Sequence, residues 1–153
     1  MVSKLQSYVL GFAFGEVNKN RHVLLIHKNK PEWQNGRING VGGKIEPDED
    51  LYEAMVREFK EEVGIDSRSS DWRLFARMSE RLDSDKFHDG PADVFCFMTD
   101  RLDITKARMM EFERPETFRV SGLAEYNPQI LRNLQWLIPI AQDYKVKFAA
   151  VGI

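Results

Sequence analysis

Along residues 7–16, SYVLGFAFGE, the bulky Tyr8, Leu10, Phe12 and Phe14 alternate with Val9, Gly11, Ala13 and Gly15. This period of two predicts a strand with one crowded face and one nearly bare face. Glycine weakens a strand but lets another group approach closely. The bare face is therefore either the floor of a ligand pocket or the seat of a packed helix. HVLLIHK reads as a second strand, NKPEWQNGR as a loop, and NGVGGK as a glycine-rich connection. From Leu51 the period changes. Leu51, Met55, Phe59 and Val63 form an apolar stripe at helical spacing, with Glu53 and Lys60 on the opposite side. Asp48 or Asp50 can cap this helix, the second in a capping box with Glu53, and Gly64 suits the left-handed C-terminal position. WRLFARMSERL and DVFCFMT read as further strands. In the latter Val94, Cys96 and Met98 oppose Phe95 and Phe97, so both faces are apolar, as in a central strand. TFRVSG reads as a last short strand. QILRNLQWLIPIAQDY has helical spacing that Pro139 is expected to kink or interrupt. With no repeat and no linker-like stretch, a single domain over 1–153 is expected, of α/β class, with a mixed sheet covered on both sides.

Composition narrows the function. A chain of 153 residues with 42% apolar content can bury a sizeable core. Twenty-two Lys and Arg against 24 Asp and Glu give a net charge of −2, which excludes a global field that would recruit nucleic acid or an anionic membrane. The one cysteine, Cys96, cannot close an internal disulfide, and three scattered His show no zinc spacing. The N-terminus lacks a long apolar run with a cleavage site, and no apolar segment reaches the roughly 18 residues of a membrane span. A soluble, cytoplasmic protein is expected.

The segment VREFKEEVGI places Glu58, Glu61 and Glu62 on one helix, at the edge of its apolar stripe. Carboxylates beside a core need partners. Arg57, four residues after Glu53 and four before Glu61, meets part of this charge. Glu58 and Glu62, a like-charged pair four apart, have no cation in sequence reach. A hard divalent ion shared between carboxylates and substrate phosphates would supply one; an acidic edge on a surface helix is the plainer alternative.

The residues upstream extend the pattern. From Gly43 the chain reads Gly, five residues, Glu49, seven residues, Arg57, Glu58, an apolar residue, any residue, Glu61, Glu62, any residue, Gly64 and an apolar residue. This resembles the Nudix box at every defined position, with Phe59 bulkier than the usual aliphatic. The resemblance implies an α/β/α sandwich and a Mg²⁺- or Mn²⁺-dependent hydrolase of a nucleoside diphosphate linked to another group. By position it implies that Glu58, Glu61, Glu62 and the Gly42 carbonyl are metal ligands, and that Glu49 and Arg57 hold the loop and orient them. It further implies that a carboxylate takes the proton from water. Glu61 ranks first for that role, with Asp89, Glu111, Glu113 and Glu116 as downstream candidates.

GRINGVGGKIE further resembles the MutT-type branch, which implies a purine nucleoside triphosphate, oxidised or not, as substrate. In such relatives an Asn just before the box reads the purine edge. Here that position is Asn39, whose other reading is an Asn-Gly turn before Gly40. NLQWLIPIA is similar to a base-pocket segment, with Trp136 to stack and Asn133 to hydrogen-bond, although Trp136 also suits a core. Lys44 and Lys28 are candidate phosphate contacts or plain surface lysines. The elements typical of NADH, ADP-ribose and diadenosine polyphosphate hydrolases are missing. A catalytically silent nucleotide sensor is the contrasting class, disfavoured because all three glutamates are intact.

Overall fold

The computed structural model describes residues 6–80, 92–123 and 127–152. Eight strands are present among the described residues: β1 (Gln6–Val17), β2 (Asn20–His27), β3 (Ile38–Asn39), β4 (Val41–Lys44), β5 (Arg73–Glu80), β6 (Ala92–Thr99), β7 (Arg114–Arg119) and β8 (Ala149–Gly152). Among the described residues two α-helices of more than two turns accompany them, α1 (Leu51–Val63) and α2 (Leu134–Gln142). The strands form one sheet in the order β3-β2-β1-β6-β5-β8, with β4 also paired to β1 and β7 to β2. β1–β6 and β5–β8 run parallel and the other pairs antiparallel, so the sheet is mixed.

The sheet separates two apolar clusters. On one face Val9, Ala13, Leu24, Ile26 and Phe97 meet Ala54, Met55, Phe59 and Val63 of α1. On the other, Phe12, Val23, Leu25, Cys96 and Met98 meet Leu134, Leu137, Ile138 and Ala141 of α2. This is an α/β/α sandwich. The two-faced β6 lies centrally between β1 and β5, as its alternation predicts.

The helix ends are where their capping residues place them. Asp50 accepts a 2.9 Å hydrogen bond from the Glu53 backbone N–H, and Gly64 takes φ 75° while its N–H reaches the Lys60 carbonyl. The two readings of the bare strand face are also resolved. A Cβ on Gly11 would lie 2.6 Å from Met55 Cε and 3.1 Å from Trp72, and one on Gly15 would lie 3.2 Å from Ile104. Helix packing occupies this face, so it does not floor a ligand pocket.

Three further expectations are revised. The glycine-rich connection is in part a strand, β4, paired in register with β1 through Leu10↔Gly42. A side chain at Gly42 would collide with the Val9 carbonyl, so a bare backbone is what allows this pairing. The late helix begins only at Leu134 and runs through Pro139 to Gln142 without the expected interruption. The last predicted strand starts earlier, at Arg114, and β8 follows as an edge strand that the alternation does not announce. The end of the predicted strand at 81–82 and the candidate base Asp89 lie outside the described residues.

Candidate active site

Arg57 is the hub of the glutamate cluster. Its guanidinium grips Glu49 with two bonds, Nε to Oε2 at 3.0 Å and Nη2 to Oε1 at 2.5 Å. Nη1 donates to Glu58 at 2.9 Å and to Glu61 at 3.2 Å, and Nη2 also donates to the Lys44 carbonyl at 3.0 Å. One planar cation thus ties α1 to the loop before it, a role that suits the rigid fork of arginine. Arg57 also holds the Glu49 carboxyl below the usual range, and Glu49 further accepts the Glu46 backbone N–H at 2.9 Å. The sequence-based view that Glu58 lacks a partner needs correction: Arg57, its immediate neighbour, turns back to meet it.

The three box glutamates differ sharply in environment. Glu61 is exposed. Glu58 is only 9% exposed, and its burial raises its pKa, with Arg57 opposing the shift. A Cβ on Gly43 would lie 2.5 Å from the Glu58 carboxyl carbon, so the glycine makes room for this carboxylate. Glu62 is half-buried, and its Oε2 is fully buried without a hydrogen-bond partner. Burial pushes its pKa up to about 8; Lys28 and the Gly42 backbone oppose the shift, while Glu58 and Glu113 add to it. A buried carboxylate oxygen without a partner is costly, and it fits a site completed by a cation. Among the described residues no three His, Cys, Asp or Glu side chains converge as a ready-made cage. Mg²⁺ does not require one, because it commonly binds one or two carboxylates, waters and substrate phosphates.

Glu62 opens onto a cleft of about 220 Å³ lined by Ile26, Lys28, Asn29, Lys30, Glu111, Phe112 and Glu113. Two loops form its wall. Glu113 accepts from Lys28 Nζ at 2.8 Å and from the backbone N–H groups of Asn29 and Lys30 at 2.5 and 3.1 Å. Burial alone would raise the Glu113 pKa, but these donors outweigh it and hold the carboxyl below its usual range. A carboxylate so engaged is a weak proton acceptor. Glu116 is likewise engaged, by His27 Nε2 at 2.8 Å and Arg114 Nη1 at 3.1 Å. Of the described downstream acids, Glu111 lines the cleft without such a clamp, and its charge acts on Glu58.

The expected base-recognition residues are not brought into one pocket. Asn39 Nδ2 donates to Gln34 at 3.0 Å and its Oδ1 accepts the Gly40 N–H at 2.8 Å, the arrangement of a turn-shaping Asn. In register it pairs with Ile26, a residue of the α1-side cluster. Trp136 instead packs half-buried against the α2-side cluster, and Asn133 Nδ2 lies 3.7 Å from Met78 Sδ. Lys44 is exposed, and the contact it contributes to the cluster is its carbonyl. Asn29, Lys30 and Phe112 escaped the sequence reading as site residues; the first two lie in the loop NKPEWQNGR, and the only signal of Phe112 was an aromatic residue set among charges in RMMEFERPE.

Known proteins resemble this chain in part of its sequence and in its fold. A 51-residue stretch is 37% identical to the CTP pyrophosphohydrolase of Escherichia coli K12, covering 33% of this chain and only 38% of that protein. Among solved structures, the NUDIX domain of Shewanella oneidensis NrtR, crystallised with ADP ribose, superposes with a TM-score of 0.73 over 93% of this chain and 89% of its own, at 15% identity. A MutT structure from work on Aliivibrio salmonicida and Vibrio cholerae gives 0.65 over 92% of this chain and 100% of its own, at 20% identity. At such identities the structures speak for the fold. A NUDIX domain model matches residues 9–136, from the first strand through the arginine-centred glutamate cluster to the start of α2, and the chain belongs to the Nudix family.

Proposed function

We propose that this chain is a divalent-metal-dependent pyrophosphohydrolase that converts a nucleoside triphosphate and water to the nucleoside monophosphate and pyrophosphate. The observation that carries this reading is the buried, unpartnered oxygen of Glu62 beside Glu58, at the wall of a cleft that also holds Lys28 and Lys30. Glu58 and Glu62, with Glu61 and the Gly42 carbonyl, would hold Mg²⁺ or Mn²⁺. The bound ion would neutralise phosphate charge, polarise phosphorus and lower the pKa of the attacking water. Arg57 fixes the helix against its loop and aims Glu58 and Glu61. Glu61, exposed and held through one bond to Arg57, is the proposed proton acceptor, with Glu111 as the downstream alternative. Lys30 offers positive charge to the phosphates from the cleft wall. A triphosphate is placed first because the E. coli relative is named for CTP. The purine preference expected from Asn39 and Trp136 loses support, since the two residues belong to opposite faces of the sheet.

The test is turnover of purine and pyrimidine triphosphates, oxidised dNTPs, ADP-ribose, NADH and sugar nucleotides with Mg²⁺, with product identity read by chromatography. Monophosphate and pyrophosphate are expected, and excess chelator should abolish their formation. Chelator should nevertheless leave a cooperative thermal transition, because both clusters are built from apolar side chains. Full turnover without metal would defeat the proposal. Tight nucleotide binding without turnover would favour the sensor class instead.

Two adjacent glycines differ in what an added side chain would meet, a carboxylate at Gly43 and backbone at Gly42. Gly43→Ala pushes on the flexible end of Glu58 and is expected to lower kcat by about 10- to 100-fold, the scale of a displacement near 1 Å. Its effect on stability should stay within about 1 kcal/mol. Gly42→Ala meets the backbone of Val9 and is expected to cost about 1–3 kcal/mol of stability. Denaturant titration beside steady-state kinetics checks both; a Gly43→Ala variant that keeps full turnover, or a Gly42→Ala variant of unchanged stability, would refute the assignment.

A further inference from the structure

Phe112 stands 71% exposed on a wall of the cleft that contains Glu62, yet its surroundings are firmly built. Its carbonyl accepts Asn29 Nδ2 at 2.6 Å, and the next residue, Glu113, is held by Lys28 and by the backbone of Asn29 and Lys30. Lys30 Nζ lies 5.5 Å from the Phe112 ring centroid, a cation against an aromatic ring. The backbone carrying the ring is thus fixed, and the ring remains largely open to solvent. An exposed aromatic side chain on a tied loop, beside ammonium groups and a carboxylate cluster, has the chemistry of a nucleotide seat: a flat apolar surface for a base next to charge that meets phosphates. Every base presents a π-face, so stacking of this kind tolerates different sequences and bases.

We propose that Phe112 is the stacking platform for the nucleobase of the substrate, with Lys30 steadying the ring and meeting the phosphate side. The proposal rests on the nucleotide reading above, and it accounts for base binding without Asn39 or Trp136.

Phe112→Ala is expected to lower kcat/KM for nucleoside triphosphates at least tenfold, chiefly through KM, and Phe112→Tyr should restore it to within about threefold. For phosphoribosyl pyrophosphate, which has no base, the fall should be at least fivefold smaller. Phe148→Ala, which removes another exposed aromatic side chain elsewhere, should leave kcat/KM unchanged. Circular dichroism and thermal melts establish that each variant folds. Calorimetric titration with a non-hydrolysable triphosphate and Mg²⁺ reads the same contrast as affinity, so the platform can be judged even if hydrolysis proves not to be the function. Equal falls for base-bearing and base-free compounds would overturn the proposal. So would a Phe112→Ala variant of unchanged affinity, including one whose only change is in oligomeric state on a sizing column.

Discussion

Glu62→Gln is expected to lower turnover by more than a hundredfold while leaving the fold intact. Losing a group that merely supports a metal ligand costs about 10- to 100-fold, and loss of the proposed ligand itself should exceed that. The reason is local. Glu62 carries the one carboxylate oxygen among the described residues that is buried without a hydrogen-bond partner, and Glu58 and Glu113 both act on it as like charges. Gln keeps the shape and removes the charge, so in metal-free protein the substitution should leave the melting temperature unchanged or slightly raised. Metal titration followed by calorimetry supplies the second readout, with weakened Mg²⁺ affinity expected. Turnover within a few-fold of the parent, or Mg²⁺ affinity unaltered, would falsify the assignment of this carboxylate.

The largest effect on stability is expected beneath the site. Phe59 is fully buried on the apolar stripe of α1 and meets Trp72 edge-on, with centroids 5.0 Å apart. Phe59→Ala removes that contact and leaves a cavity between helix and sheet, which costs about 3–5 kcal/mol. This is a large part of the roughly 5–15 kcal/mol that holds a typical domain together. Urea unfolding should show a midpoint lowered by that loss divided by the slope, with little change in the slope itself. A loss below about 1 kcal/mol would mean that the helix is held mainly by the arginine hub rather than by its apolar face.

Much of this could be read from the chain because periodicity reports burial directly. The stripe of α1, its Asp50 and Gly64 caps and the two-faced β6 follow from residue spacing and need no knowledge of distant contacts. Glu58, Glu61 and Glu62 were legible for the same reason, since all three lie on one helix. Other features depend on what meets what across the fold. β4 reads as a loop because glycines carry no alternation, and only its partner β1 makes it a strand. Asn39 and Trp136 each have a side chain suited to a base, but local sequence does not reveal which face of the sheet each joins. The cleft arises where residues 28–30 meet 111–113, segments far apart in the chain whose joining no local pattern encodes.

The close seating of β1 against both β4 and α1 bears on how portable the glutamate motif is. Gly11 lies outside the motif, yet its missing side chain is where Met55 rests, and its carbonyl would meet any side chain placed at Gly40. Val9 restricts Gly42 in the same way. Residues 40–65 are therefore not a self-sufficient cassette. A graft of this segment into another scaffold would carry the carboxylates but lose their alignment unless a strand with a glycine at the matching position came with it. Homologous recombination within the family should accordingly tolerate crossovers after α1 better than crossovers between β1 and β4.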